Sequence, residues 1–309
     1  MSKKPKVAIL HPDLGIGGAE NLIINLALAL EKKDYQVKIY TPHFDPNRCF
    51  EECKQLDIEV AGSWFPRTIF GRFIAYCAYV RMVLCAIYVA FFSGIDYDYY
   101  LLDQVSFPIP ILKMKTSRVV FYCHFPDKLL STNRSSFIMQ FYRYFLDYFE
   151  EVTTGMAQTI VVNSLFTQKV FQDNFPIIAD QGKGHSEAPS GLASLLVGKR
   201  HLPQALYPFI NPKTFIRTPG YSKTISDLLG REVNKSQGTK IFTSLNRYER
   251  KKNIALAIEA FSIFQLNCIK EGMQAPETHS KHVLVIAGGW DPRVRENVEH
   301  EQELRKKAA

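Results

Sequence analysis

The sequence predicts an α/β protein with doubly wound parallel sheets, because short apolar strands alternate with helices along most of its 309 residues. The clearest unit is N-terminal, where the strand Lys6–Leu10, a glycine-rich turn and the helix Asn21–Leu30 lead into the strand Gln36–Tyr40. Right-handed crossovers make the two strands of such a unit parallel. The length leaves room for about two domains.

The same alternation continues over residues 1–175, which we assign to a first, Rossmann-like domain. Its aromatic-rich helix lies before its last strand, as the crossover between parallel strands requires. The further predicted elements are the strands Asp98–Leu102, Arg118–Tyr122 and Thr159–Val162 and the helix Phe137–Glu151.

A second domain is predicted after an unusual connection. Residues 176–205 are rich in Gly, Ala, Ser, Lys and Pro and show no helix or strand with a clear apolar face, so we interpret them as an atypical insert or linker. Residues 206–309 then begin a second Rossmann-like domain, which we expect to be incomplete. Its elements are the strands Lys240–Leu245 and His282–Ala287 and the helices Ile254–Phe264 and Val294–Lys307.

The charge balance permits an anionic partner. There are 38 Lys and Arg residues against 30 Asp and Glu, which gives a net charge of +8. A phosphate, an anionic lipid surface or a nucleic acid would each fit this charge. No base-reading or stacked-aromatic module accompanies it, so nucleic-acid binding has no further support. The cysteines lie mostly in apolar segments without zinc spacing, which favours reduced thiols in the cytosol.

One segment is apolar enough to contact a membrane. Residues 73–95 contain a single charged residue, Arg81. Three interpretations stay open: shallow contact with a bilayer surface, a buried core helix, and a membrane span. Basic and aromatic residues over 67–100 favour the first, because such residues are typical of the bilayer interface. We therefore predict a membrane-associating segment at 67–100.

Two loops at the starts of helices are candidates for phosphate binding. Gly17 and Gly18 open the first helix, where backbone amides carry partial positive charge. Glu20 stands where a dinucleotide fingerprint would have its third glycine, so a plain tight turn is the alternative. In the second domain, Arg247 and Lys252 lie in the loop NRYERKKN and could converge on one diphosphate, although a solvated basic loop is also possible.

Polar residues follow two apolar strands of the first domain. His124 and Asp127 come directly after Arg118–Tyr122, and Asp103 comes directly after Asp98–Leu102. Ligands of open α/β sheets bind at the carboxyl ends of the strands. An imidazole there could hydrogen-bond a sugar hydroxyl or stabilise developing charge, but a structural histidine is the alternative.

Together these features resemble the retaining GT-B glycosyltransferases, which use nucleotide-activated sugars. The resemblance is closest to one family, the α-1,3/1,6-mannosyltransferases of dolichol-linked oligosaccharide assembly. It covers residues 6–175 and 206–304 and rests on long, specific motifs. They are HPDLGIGGAE, CFEE, CAYVRMV, DQVS, FYCHFPD, TTGMA, VNSLFT, LYPFIN, NRYERKKN and AGGWDPRVRENVEH.

The resemblance implies a substrate pair. GDP-mannose is the expected donor, and mannosylated chitobiosyl-diphospho-dolichol is the expected acceptor, which receives one α-1,3 and one α-1,6 mannose with retention of configuration. Residues 1–175 are then an acceptor domain and residues 206–309 begin the donor-binding domain. The expected location is the cytosolic face of the endoplasmic reticulum membrane, with other mannosyltransferases of the pathway as further partners.

The resemblance also implies residue roles. His124 is the expected catalytic residue beside the transferred sugar. Gly17 and Gly18 are expected near the donor diphosphate, which Arg247 and Lys252 hold. Their charge would stabilise departing GDP, so neither a metal nor a cofactor is expected. The acceptor-binding candidates are the acidic residues Glu20, Asp103 and Asp127.

The chain departs from the family in two places. Residues 176–205 do not resemble it, and the family's paired-glutamate motif, which binds the donor, belongs beyond AGGWDPRV, where this sequence ends. The sequence therefore predicts a C-terminally truncated family member. An active mannosyltransferase is the first functional interpretation. The alternative is a catalytically inactive isoform or gene-model fragment that acts as a membrane-associated binding protein.

Overall fold

The computed structural model describes residues 4–69, 73–130, 137–179, 203–210, 240–272, 282–290 and 294–308, with the single positions 212, 227 and 292. The chain forms two compact units, Met1–Phe215 and Ile216–Ala309. Each unit is a layered α/β structure, as the alternating sequence pattern predicts.

The first unit contains a parallel sheet of seven strands. Every pairing in it is parallel, and the strand order is β3-β2-β1-β4-β5-β6-β7. The order reverses direction between β1 and β4, which is the switch point where doubly wound sheets bind ligands. The strands are β1 Lys6–Leu10, β2 Gln36–Thr41, β3 Ile58–Val60, β4 Tyr99–Asp103, β5 Val119–Cys123, β6 Thr159–Val162 and β7 Gln204–Ala205.

Helices cover both faces of this sheet. The alternation of side chains along β1 explains why: Val7 and Ile9 pack with Ile23 on one face, whereas Ala8 and Leu10 pack into the core on the other. A 3₁₀ helix occupies Glu51–Gln55. The α-helices are α1 Gly18–Glu31, α2 Ile74–Phe91, α3 Ile109–Lys113, α4 Asp127–Leu130, α5 Phe137–Gly155, α6 Leu165–Asn174 and α7 Pro176–Ala179.

Helix α2 occupies most of the segment 67–100, which the sequence predicts to associate with a membrane. By length and composition it could cross a membrane, with a mean hydropathy of 1.9, and 44% of it is buried within the protein. Met82 and Cys85 are fully buried against the sheet. Arg81 is also buried, and its guanidinium donates to the backbone carbonyl of Pro42. The segment also runs into β4, the strand beside β1, so part of α2 supplies core of the first unit, and its contact with a membrane stays a prediction. Arg72 lies outside the described residues.

The predicted linker at 176–205 also needs correction at both ends. Pro176–Ala179 forms α7, and Gln204–Ala205 forms β7, which pairs with β6. The first unit therefore continues beyond the predicted boundary at residue 175. Short, polar β7 carries no hydrophobic pattern from which a strand could be predicted. Residues 180–202 lie outside the described part of the chain.

The second unit contains two parallel strands and two long helices within its described ranges. The two strands and the last helix lie within one residue of their predicted bounds, whereas the helix between the strands was predicted to end at Phe264 and continues to Lys270. Phe242, on the first of these strands, packs against Phe261 and Phe264 on the following helix. The elements are β8 Ile241–Leu245, α8 Ala255–Lys270, β9 Val283–Ala287 and α9 Arg295–Ala308.

Candidate active site

Three polar residues meet where three neighbouring strands end. His11 follows β1 directly, Asp103 is the last residue of β4, and His124 follows β5 directly. Because these strands are adjacent and parallel, their carboxyl ends share one edge of the sheet. The structure thus brings two predicted site residues together with a third, His11.

Asp103 bridges the two imidazoles. Its Oδ1 lies 2.7 Å from Nδ1 of His11, and its Oδ2 lies 2.9 Å from Nε2 of His124. A carboxylate only accepts hydrogen bonds, so both of these ring nitrogens carry a proton. The side chain of Asp103 is fully buried, whereas that of His124 is 20% exposed. His124 therefore keeps Nδ1 on the ring edge away from Asp103.

This geometry corrects the role predicted for Asp103. With no exposed surface and an imidazole on each oxygen, its carboxylate cannot bind an acceptor directly. Asp103 instead fixes the orientation and tautomer of His124, as a carboxylate behind a histidine commonly does. It is a positioning residue.

The electrostatics of the site favour an ionised carboxylate on Asp103 paired with a protonated imidazole on His11. Burial by itself would raise the pKa of Asp103, but the charge of His11 and the bonds from His11 and His124 outweigh it and hold that pKa below its usual value. For His11, burial lowers the pKa, and the opposing charge and hydrogen bond of Asp103 raise it further than burial lowers it. Glu20 adds negative charge near His11.

His11 was missed as a site residue by sequence reasoning. His11 directly follows the strand Lys6–Leu10, and a histidine directly after a strand is the same signal that points to His124. Comparing the two positions along the sheet would have found it.

The glycine turn lies at the start of α1. Gly17 is the N-terminal cap, in extended backbone, and Gly18 is the first helical residue. A Cβ added at Gly18 would meet nothing within 4 Å, so packing inside the protein does not require glycine there. Space beside a helix N-terminus suits an anion, and the donor contacts of Gly17 and Gly18 stay predictions. Glu20 lies in the first turn.

Asp127 is held within the protein. Its carboxylate accepts hydrogen bonds from the hydroxyl of Tyr79 on α2 and from the guanidinium of Arg143 on α5, 3.3 Å away. Glu150 of α5 accepts the backbone N–H groups of Asp127 and Lys128 at 2.7 and 2.9 Å, which caps α4. These contacts give Asp127 a structural role, and because its side chain is still 31% exposed, its contact with the acceptor stays a prediction.

In the second unit, the basic loop after β8 contains one residue that is bound to another helix of the unit and two that are exposed. Arg250 binds Glu299 and Glu303 of α9 at 3.3 and 2.6 Å, so it holds the loop to its own unit. Arg247 and Lys252 are exposed, and Nη1 of Arg247 lies 3.8 Å from Oε1 of Glu249. The two residues predicted to bind a diphosphate are therefore presented at the surface of this unit.

A glycine after β9 fixes this loop. Gly288 has a φ of +150°, and a Cβ there would lie 1.7 Å from the carbonyl oxygen of Asn246. The close approach lets the N–H of Asn246 bind the carbonyl of Ala287 and the N–H of Tyr248 bind that of Gly289. Only glycine fits this position.

The fold is that of the GT-B glycosyltransferases. The chain is similar to the catalytic domain of starch synthase IV from Arabidopsis thaliana, with a TM-score of 0.57 and 13% identity over 99% of this chain and 73% of that chain. It is also similar to LpCGTa in complex with UDP, with a TM-score of 0.50 and 13% identity over 93% of this chain and 71% of that chain. These likenesses show the fold.

Sequence comparisons show the family. Residues 16–181 match the model of Glycosyltransferase Family 4. The chain is 43% identical over 99% of its length to alpha-1,3/1,6-mannosyltransferase ALG2 of Dictyostelium discoideum, and 43% and 42% identical over 98% to the proteins of the same name from Mus musculus and Homo sapiens. It belongs to this mannosyltransferase family. It spans 69% of the Dictyostelium protein and 66% of each of the other two.

Proposed function

We propose that this chain transfers mannose from GDP-mannose to a mannosylated chitobiosyl-diphospho-dolichol, in α-1,3 and α-1,6 linkage, during N-glycan precursor synthesis. The observation that carries the proposal is its 43% identity, over 99% of its length, to a relative named as an alpha-1,3/1,6-mannosyltransferase. The proposed location is the cytosolic face of the endoplasmic reticulum membrane, where other mannosyltransferases of the pathway are proposed partners.

The proposed chemistry places positive charge at the leaving group. Arg247 and Lys252 balance the charge that develops on GDP as the sugar departs, Arg247 by paired hydrogen bonds and Lys252 as a point charge. Gly17 and Gly18 offer backbone amides at the start of α1 to the same diphosphate. These groups supply the charge that a metal would otherwise supply, so we expect transfer to continue in EDTA.

His124 is proposed to face the transferred mannose. Its Nε2–H is occupied by Asp103 at 2.9 Å, so its Nδ1 is the atom that can accept a hydrogen bond from a sugar hydroxyl. The bond from Asp103 fixes which nitrogen does this. The two-residue unit resembles the base and orienting carboxylate of other group-transfer enzymes.

The test is an assay of mannose transfer to a synthetic lipid-linked acceptor, with products separated by mass. We expect Lys252→Ala to lower kcat/KM for GDP-mannose about 10- to 100-fold, because it removes charge from the leaving diphosphate. The neighbouring variant Lys251→Ala is the matched control, since Lys251 is exposed and pairs with Glu249 at 3.0 Å. It should change the rate by less than about twofold.

The outcomes separate the interpretations. Equal effects of Lys251→Ala and Lys252→Ala would remove Lys252 from the donor site. Saturable binding of GDP-mannose without any transfer would support the alternative of an inactive binding protein. Transfer from a different sugar nucleotide would contradict the proposed donor.

A further inference from the structure

His11 and His124 share one buried carboxylate, that of Asp103, as their hydrogen-bond partner. Nδ1 of His11 donates to it at 2.7 Å, and Nε2 of His124 donates to it at 2.9 Å. The carboxylate carries one negative charge, so once one imidazole has taken up a second proton, the other attracts a second proton less strongly. Which imidazole holds that proton decides what His124 can do.

The second proton has different consequences on the two rings. Nδ1 of His124 is the nitrogen that does not bind Asp103, and it accepts a hydrogen bond only while it carries no proton. With a second proton, His124 becomes a cation that has two N–H donors and no acceptor. His11 has no exposed surface, so the same proton on His11 changes no group that a substrate can reach.

The surroundings of His11 favour the proton on that ring. Burial lowers the pKa of this imidazole, whereas the charge and the hydrogen bond of Asp103 raise it. The charge of Glu20 and the backbone of Asp13 add to the rise, and the resulting pKa lies above its usual value. Among the described residues no donor binds Nε2 of His11, so no hydrogen bond is lost when that nitrogen takes up the proton.

His124 has one carboxylate partner and a neutral aromatic neighbour. Among the described residues, Asp103 is the only carboxylate that its ring binds. The ring centroid of Tyr122 lies 4.8 Å away, and burial raises the pKa of Tyr122 to about 12, so this phenol is neutral where imidazoles titrate. Asn163 donates to the backbone carbonyl of His124 at 2.8 Å and not to its ring.

We propose that His11 holds the proton that balances the charge of Asp103, and that it thereby keeps His124 neutral, with Nδ1 as a hydrogen-bond acceptor. His11 is then a positioning residue, because it acts on His124 through Asp103 and has no exposed surface for a substrate. The consequence for transfer rests on the proposed function, in which Nδ1 of His124 faces the transferred sugar. The location of the proton does not rest on it.

Imidazole ¹⁵N spectra of the full chain measure that location directly, because protonated and unprotonated ring nitrogens differ widely in chemical shift. At neutral pH we expect His11 to carry protons on both nitrogens and His124 to carry one, on Nε2. The signals are assigned by their loss in His11→Asn and His124→Gln. A spectrum in which His124 carries both protons, or in which neither ring does, overturns the proposal.

His11→Asn separates the charge of His11 from its hydrogen bond. The side-chain amide nitrogen of asparagine lies about where Nδ1 of histidine does, so the variant can donate to Asp103 but cannot carry charge. We expect His124 to take up its second proton about one pH unit higher than in the unaltered chain, because the full charge of Asp103 now acts on it. The acidic limb of the pH profile of kcat should shift equally, with the rate restored at higher pH. A purely structural role would lower the rate at every pH.

The matched control is His300→Asn, which replaces another buried histidine. Its Nδ1 lies 3.1 Å from a carboxylate oxygen of Glu303, in the second unit. This variant should leave the titration of His124 unchanged. The proposal is overturned if His11→Asn also leaves it unchanged, or if both variants shift it equally.

The spectra need neither donor nor acceptor. If the unaltered chain transfers no mannose, the proposed function fails, and the spectra still decide where the proton lies. If His11→Asn does not fold, the spectrum of the unaltered chain decides it alone.

Discussion

Helices α2 and α5 show that the number of charged residues in a helix does not determine which of its side chains are buried. Ile74–Phe91 contains one charged residue, Arg81, and packs on the sheet as a core helix. Phe137–Gly155 carries four charged residues by sequence, Arg143, Asp147, Glu150 and Glu151, yet presents aromatic rings to solvent. The hydropathy of a segment reports how much apolar surface it has and not which side of the segment that surface covers.

The difference arises from what each helix contacts. The strands below α2 supply apolar side chains, so its own apolar residues find partners in the core. Helix α5 instead contacts α4 and the residues around Asp127, whose backbone N–H groups and carboxylate require charged partners. The inner side of α5 is polar because α4 needs capping.

The largest expected difference is in the free energy of unfolding, between a variant of a buried residue on α2 and a variant of an exposed residue on α5. Met82→Ala on α2 removes a fully buried side chain and should lower the free energy of unfolding by about 2–5 kcal/mol. Tyr144→Ala on α5 should change it by less than about 0.5 kcal/mol, because Tyr144 is exposed. Urea unfolding followed by circular dichroism measures both. Equal losses would contradict the assignment of α2 to the core and of Tyr144 to the surface.

A smaller difference in the free energy of unfolding is expected when an arginine is replaced by methionine in each of the two helices. Arg143→Met on α5 leaves Asp127 and Asp147 without their cation, and should lower the free energy of unfolding by about 3 kcal/mol. Arg81→Met on α2 removes one hydrogen bond to the carbonyl of Pro42, and Asp13, the carboxylate that acts on Arg81, keeps its ion pair with Arg67. We expect a loss of about 1 kcal/mol. A larger loss at Arg81 would show that α2 relies on its charge more than α5 does.

The sequence predicts the regular elements better than the contacts among them. The strands with continuous apolar residues, such as Lys6–Leu10, were predicted with their bounds because both faces of the sheet are covered. Ile58–Val60 and Gln204–Ala205 were missed because edge strands of three and two residues carry no periodic pattern. Burial of α2 was among the open interpretations, but periodicity alone could not choose it.

The place of the candidate site could be predicted from where its residues lie along the chain, whereas the contacts between those residues could not. His124 was placed at the carboxyl end of a strand, which its chain position gives directly. That Asp103 bridges His124 and His11 depends on β1, β4 and β5 being neighbours, an order that local sequence does not encode. Likewise, the pairing of Arg250 with α9 depends on residues about fifty positions away.

The smallest effect is a pH dependence that should differ in sign between the two helices. Burial, reinforced by the charge of Asp127, raises the pKa of Glu150 on α5 to about 7 despite its hydrogen bonds from α4. Below about pH 4.5 this carboxyl is protonated in both the folded and unfolded chains. Between there and pH 7 only the folded chain keeps the proton, so stability falls as pH rises. From pH 5.5 to 7 the loss should be about 2 kcal/mol.

Two variants isolate this dependence. Glu150→Gln cannot titrate, so the difference in unfolding free energy between it and the unaltered chain should change with pH over that interval. Glu59 is the counterpart on the α2 side: burial would raise its pKa, but bonds from Tyr88 of α2 and from Lys38 lower it. Its stabilisation is present at neutral pH and lost as pH falls through the lowered pKa, so Glu59→Gln should shift the pH profile in the opposite direction. Profiles of the same sign would show that α5 does not bury its carboxyl as its contacts indicate.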